Sequence, residues 1–535
     1  MSKETVSEYK WVLIGAVLIV ALTCVPYLFG ILITPPGYHF IGLTQNIDDG
    51  AVYLSWMRQA ADGHLFARNL FTNASQSGLQ FNVLFLMMGT FARLSHLSCV
   101  VVYHLFRVLF GVGLFIAVHR FSLLFLSERR ERLFVMALVG LTSGIGWLIP
   151  NVQSPVGSVD VWQPEAITLL SIYLNPMFLA SLMLMLGALY YLVLAERTGR
   201  ARYALLAGVC VLLLGNIHSY DVLTVAGVWA AYLLARGLVG RVLPTRTLGL
   251  SVLAAVVGIP SILYQAYVYL NDGVFRARAN TVIASPPVTS FFTGYGVVLL
   301  AAIVGGVILL ALSRGTDAEP KQGKHPHLLL LVWSVVGFAV PYIPIAQQRK
   351  LIMGLHIPLC MLAAVALGYA WRRLRPTYAI CAICAFFVLA VPSNVNFLGL
   401  DMALLTRART VTRYVPYIST NQLRAIDYIK ENADDRQATF CSPQAALLLP
   451  AYGGKPVYYG HWSETPDYNR KLAHWVGFTD PALPPEAKRA LLADTRCDFV
   501  ITDSTDQERL IGDTARIGLV KVAMFGDSSV YRVTR

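Results

Sequence analysis

Charge is scarce in this sequence. Lys, Arg, Asp and Glu make up 14% of its 535 residues, where a soluble chain carries roughly a quarter, while 56% are apolar and the mean hydropathy is +0.57. That scarcity excludes a soluble globular or disordered chain and predicts a polytopic membrane protein. Uncharged runs of the roughly 20 residues that span a bilayer recur through the first 390 positions. Acids are the scarcer sign, 30 against 43 Lys and Arg, for a net charge of +13. In a membrane chain such an excess belongs to loops that orient the helices, so nucleic acid is not an expected partner. Carboxylates are missing from the interiors of most spans. An ion-coupled transporter needs ionisable groups near the midplane, so transport is disfavoured. There is also no Gly-rich phosphate loop, internal repeat or low-complexity tract.

Cysteine gives little. Cys24, Cys99, Cys210, Cys360, Cys381 and Cys384 lie in apolar segments, where the residue packs as a small hydrophobe. "CAIC" at 381–384 has redox spacing but falls inside a span. Cys441 and Cys497 belong to the polar C-terminal part and could pair if that part is extracytoplasmic.

What is present sets the topology. "SERRER" (127–132), "ERTGRAR" (196–202), "RGLVGRVLPTR" (236–246), "RGTDAEPKQGKHPH" (314–327) and "WRRLR" (371–375) are cationic and mark cytoplasmic loops. The first apolar run reads as an uncleaved span with its N-terminus in the cytoplasm. Eleven spans are predicted: 10–33, 98–126, 133–150, 166–195, 203–217, 219–236, 247–270, 295–313, 328–346, 350–371 and 376–393. The odd count puts the C-terminus outside. Residues 80–95 are predicted as a helix lying in the outer interface. The hairpin 203–235 is too short for two full crossings, so its tip, "NIHSYD" (216–221), is expected below the outer surface in a water-accessible depression. The fold class is therefore an α-helical polytopic membrane protein, with a transmembrane domain over 1–393 that includes a large first outer loop (34–97). An extracytoplasmic α/β domain is expected over 394–535, with strands in "QATFCS", "KPVYYG", "CDFVITD" and "SSVYRVT". The protein is placed in the plasma (inner) membrane of a cell envelope.

Acid placement carries the chemistry. After an uncharged stretch at 11–47, Asp48 and Asp49 stand side by side at the start of an amphipathic helix over 50–62. One acid there is accounted for by capping and by the helix dipole; the second is surplus and marks a catalytic role. Late in the chain, "AQQRKLIMGLHIPL" (346–359) sets Arg349 and Lys350 before a span on the outer side, where cations are disfavoured. That favours an anionic ligand, and Arg suits bidentate phosphate contact. Arg276 and Arg278 are weaker alternatives for the same role. His218, Tyr220 and Asp221 at the hairpin tip, with Glu165, are candidates for positioning substrate. Asp48, Asp49, Glu165 and Asp221 could converge on a divalent cation, Mg²⁺ or Mn²⁺, whose preference is for hard oxygen ligands. "YYGHWSETPDYNRKLAHW" (458–475) is as dense in aromatics as a sugar-binding surface, but reads first as a strand, loop and helix of an ordinary α/β domain.

The layout resembles the GT-C superfamily of integral-membrane glycosyltransferases, such as the protein O-mannosyltransferases and the lipid A aminoarabinose transferases. The shared features are a first span, an acidic pair opening a large outer loop, many further spans and an outer C-terminal domain. The resemblance implies that Asp48 or Asp49 is the catalytic base and that Arg349, with Lys350, holds a lipid phosphate. It also implies a polyprenyl-phosphate sugar as donor, a glycan, lipid or protein acceptor, inversion at the anomeric carbon, and no metal requirement of the oligosaccharyltransferase kind. The sequence departs from those branches in having Asp-Asp rather than Asp-Glu, and "GLQFNVLF" (78–85) where they carry a "KPPL"-like segment. The rival expectation is a non-catalytic handler of lipid-linked glycans, a flippase or assembly partner, in which both acids could be neutralised without loss.

Overall fold

The computed structural model describes residues 3–149, 157–241, 244–314, 327–410 and 416–534; most of the expected cationic loop at 314–327 lies outside them. Among the described residues eight helices are long and apolar enough to cross a membrane, by length and composition: Ser7–Leu32, Cys99–Ser122, Pro176–Thr198, Asp221–Gly240, Thr245–Asn271, Val288–Leu312, Gln348–Arg373 and Pro376–Ala408. Val83–Ser95, Ala201–Ile217 and Leu328–Tyr342 are shorter apolar helices.

Two of the expected spans differ. The one at 133–150 is a helix of only 13 residues, Arg129–Leu141. It stops before Gly144, where a β-carbon would run into the Thr293 and Gly294 backbone. The span at 166–195 is two helices, Thr168–Leu174 and Pro176–Thr198. Asn175 is extended between them, and its side chain accepts the Met177 N–H at 2.8 Å with proline at the first helical position. The last helical stretch also runs past residue 393, since a helix Pro392–Thr410 follows Pro376–Ala390.

The chain forms two compact units. The first comprises 1–26, 104–265 and 282–400. Its centre is His356–Arg373, buried along nearly its whole length. Gly305 faces it so closely that a β-carbon would meet the Leu362 carbonyl oxygen. Small residues allow such backbone contact between apolar helices, where water provides no driving force.

The second unit gathers 27–103, 266–281 and 401–535. The strand Tyr38–Phe40 pairs antiparallel with Tyr417–Ser419, joining the first loop to the C-terminal segment. Ile47–Ala61 and Val83–Ser95 pack with Tyr53 stacked on Phe85 at 5.3 Å and Trp56 edge-on to the same ring. Beyond them a four-stranded sheet runs in the order Thr439–Phe440, Phe499–Thr502, Ser528–Val533, Leu519–Phe525. Its first pair is parallel and the others antiparallel. Three expected strands are there. "KPVYYG" makes only an isolated bridge, Val457 to Thr439, and Leu519–Phe525 is an unanticipated edge strand. Cys441 and Cys497 do not form a disulfide with each other. The parallel register, Thr439 to Phe499, sets them at opposite ends of the paired strands.

Candidate active site

The acid pair sits in the first turn of Ile47–Ala61, whose free N–H groups favour negative charge. Asn46 precedes the helix in left-handed backbone, φ 50°, a conformation that Asn tolerates better than most residues. From there its Nδ2 donates to Asp49 Oδ2 at 2.8 Å. Both acids face the loop at 461–465. Trp462 Nε1–H donates to Asp48 Oδ2 at 3.0 Å. His461, fully buried, brings Nε2 to 3.4 Å from Asp49 and 3.6 Å from Asp48.

The tautomer follows from the other ring nitrogen. Nδ1 accepts backbone N–H bonds from Ser463 at 3.0 Å and Glu464 at 3.2 Å, so the neutral ring carries its proton on Nε2, toward the carboxylates. Burial lowers the ring's affinity for a second proton; Asp49, Glu464 and Asp48 raise it by more, and the net shift is upward. Taking that proton on Nδ1 would cost both backbone bonds.

The loop is itself anchored. Thr465 Oγ1 donates to the Phe71 carbonyl at 2.7 Å and Asn69 Nδ2 to the Glu464 carbonyl at 2.7 Å. The buried Glu464 carboxylate pairs with Arg278 Nε at 2.6 Å, while the Arg278 guanidinium lies over Trp56, 5.3 Å from the ring centre.

In the first unit the expected cations gather around the hairpin tip. Arg349 and Lys350 lie in the short turn Gln348–Ile352. The Arg349 guanidinium stands over Trp162 at 5.3 Å and the Lys350 ammonium over Tyr220 at 5.4 Å. Arg349 Nε is buried and makes no hydrogen bond among the described residues. Buried donors without partners are rare in folded proteins. His218 Nδ1 meets Asp221 Oδ2 at 2.9 Å, both buried; Asp221 Oδ1 and Glu165 Oε2 are buried without partners.

Solved structures share this arrangement of helices and C-terminal sheet. The chain aligns to the archaeal oligosaccharyltransferase AglB from Archaeoglobus fulgidus, solved with an inhibitory peptide and a dolichol-phosphate, over 92% of its own length and 70% of that chain. The TM-score is 0.55 at 10% identity. ArnT from Cupriavidus metallidurans, bound to undecaprenyl phosphate, aligns over 96% and 97% with a TM-score of 0.52 at 14% identity. The mycobacterial arabinofuranosyltransferase AftD aligns over 98% of this chain and 42% of its own, at 0.55 and 15%. All three are GT-C membrane glycosyltransferases. The chain has the GT-C fold. No family model and no curated protein matches the sequence.

Within this fold Arg276, and the acids Asp272 and Asp160, have other occupations. Arg276 folds back on the preceding helix, donating to the Tyr269 carbonyl at 3.3 Å and to that of Leu270. Asp272 caps Gly273–Ala279 and accepts Ser77 N–H and Oγ–H at 2.7 and 2.6 Å. Asp160 accepts the Gly144 and Gly146 N–H groups and holds that turn. Among the described residues no three or more His, Cys, Asp or Glu side chains form a group that could hold a metal ion. The expected convergence of Asp48, Asp49, Glu165 and Asp221 on a cation is therefore not seen, although one GT-C neighbour, the Archaeoglobus fulgidus oligosaccharyltransferase, was solved with zinc and sulfate. His461, Trp462 and Glu464 were not among the expected site residues. Their only sequence signal was the aromatic density of 458–475.

Proposed function

We propose that this protein is an inverting glycosyltransferase that moves a sugar from a polyprenyl-phosphate donor to an acceptor hydroxyl at the outer membrane face. The observation that carries the reading is the buried imidazole aimed at two adjacent carboxylates. Capping explains one acid at a helix start; it does not explain a buried, tautomer-fixed ring against both. The dolichol-phosphate in the AglB structure and the undecaprenyl phosphate in the ArnT structure support the donor class.

Asp48 is the base in this reading. Its Oδ2 takes the Trp462 N–H, and Asp49 is steadied by Asn46. The Nε2–H of His461 faces both acids. Asp48 removes the acceptor proton as the acceptor oxygen attacks the anomeric carbon. The bond from that carbon to the phosphate oxygen breaks, and the lipid phosphate leaves with the electron pair. One displacement inverts the centre. Arg349 and Lys350 hold the phosphate and stabilise the charge it gains. His218, Tyr220 and Asp221 at the hairpin tip, with Glu165, position the substrate. The cationic loops support an orientation with the N-terminus inside and this chemistry outside the cytoplasm.

The test pairs two measurements. Mass spectrometry of lipids copurifying in mild detergent should find a polyprenyl phosphate, with or without its sugar, that is lost in Arg349→Ala. Asp48→Asn should lower sugar transfer by about 10²–10⁴-fold, the usual worth of a general base, with the lipid still bound. Full activity with Asn at both 48 and 49 would overturn the reading in favour of a non-catalytic lipid-linked glycan handler.

A further inference from the structure

Trp462 belongs to two sites at once. Its N–H is given to Asp48, yet half of the residue remains exposed. One face of the indole is backed by the His461 ring, nearly parallel at 5.9 Å between centres. The remainder lines a cavity of about 730 Å³ together with Thr465, Asp467, Tyr468, Asn469 and Arg470. That volume lies within the range of about 300–1,000 Å³ typical of small-ligand sites.

The lining selects among ligands. Asp467 and Arg470 lie 3.4 Å apart and cancel, so the cavity offers no net positive charge to a phosphorylated headgroup. It is built from a loop, the first turn of Tyr468–Phe478, and Ala277 and Thr281 at the end of another short helix, so its lining has no strand edge on which a peptide could add by backbone pairing. What it does offer is one broad aromatic face beside hydroxyl, amide, carboxylate and guanidinium groups. A sugar ring has the matching division, an apolar C–H face and a rim of hydroxyls that each donate and accept. Asp467 stands in left-handed backbone, φ 56°, a strain of the kind that collects at ligand sites.

We infer that this cavity is the acceptor subsite, and that its ligand is the terminal sugar of a neutral glycan, stacked on Trp462 with one hydroxyl turned to Asp48. The inference rests on the glycosyltransferase reading of the Asp48 centre and names the class of acceptor for it.

Saturation-transfer NMR on the full-length protein in detergent tests it, with short neutral arabinan, galactan, mannan and glucan fragments as probes and a short hydroxyl-bearing peptide alongside. At least one neutral fragment should bind through its C–H face. Trp462→Ala should weaken binding by about tenfold or more, as loss of an aromatic anchor does, and Trp462→Phe, which keeps the ring and loses the N–H, should restore most of it. Binding of none of the fragments, binding of the peptide alone, or equal binding by Trp462→Ala would each overturn the inference. Lipid retention on the same preparations separates the two readings. Retained polyprenyl phosphate without glycan binding removes the acceptor assignment and leaves the transferase. Glycan binding that needs Trp462, with no retained polyprenyl phosphate, keeps the sugar site and removes the donor.

Discussion

His461 can face the acid pair only because its other nitrogen is held by two backbone N–H groups. That loop depends in turn on Arg278, whose guanidinium neutralises the buried Glu464 carboxylate. Removing one partner of a buried pair typically costs about 3–5 kcal/mol, because the other charge is left unpaired. Arg278→Ala is therefore expected to lower the Tm by several degrees and to reduce transfer through misplacement of His461, while Glu464→Gln with Arg278→Met together loses less stability than Arg278→Ala alone. Asp503 gives a second check. Burial pushes its carboxyl up to about 7 from an ordinary value of 3.8, against hydrogen bonds from Gln422 and Gln507. Between those values the native state binds the extra proton, so this residue makes stability fall as pH rises. Asp503→Asn should stabilise the protein more at about pH 8 than at about pH 5 in thermal melts, since it removes that slope; equal shifts would refute it. Asp48, Asp49, Arg349 and Lys350 stood out in the sequence because charge in a nearly uncharged chain is conspicuous. Trp462 and His461 did not. Trp462 meets Asp48 across 414 positions, and no local periodicity encodes a contact of that range.

Helices were legible wherever a long apolar run had cationic flanks, and less so where packing overrode the pattern. Asn175-Pro176 breaks a run that hydropathy alone reads as continuous, and Leu519–Phe525 escaped because an edge strand with Val520 and Met524 exposed lacks the alternation of a half-buried one. The pairing of Ile47–Ala61 with Val83–Ser95 depends on Gly89. A β-carbon there would meet the Met57 carbonyl oxygen and the Ala60 side chain. Gly89→Ala should lower the Tm and, by pushing the acid-bearing helix, reduce transfer. Gly399, with open space around it, is the control: Ala there should be neutral or stabilise by about 0.5–1 kcal/mol, the usual helical difference. Equal effects at the two positions would mean that the close approach at Gly89 is not limiting.

At the scale of the whole molecule, six of the eight long apolar helices expose Leu, Val or Ile side chains, the surface a bilayer would cover, while Pro176–Thr198 and Gln348–Arg373 keep theirs inside. The proposed orientation makes a direct prediction. In intact cells a membrane-impermeant maleimide should label Arg470→Cys, placed in a variant lacking the native cysteines, and should reach Arg200→Cys only after the membrane is opened. The reverse pattern would invert the topology and put the Asp48 centre in the cytoplasm. The second unit draws on three separated stretches of chain, which has a consequence for how the protein is made. Asp48 leaves the ribosome 414 positions ahead of Trp462, and seven of the eight long helices must be inserted between them. Until residue 462 has been made, the chain carries its acids without the indole and imidazole that orient them, so the proposed chemistry must wait for the C-terminal segment.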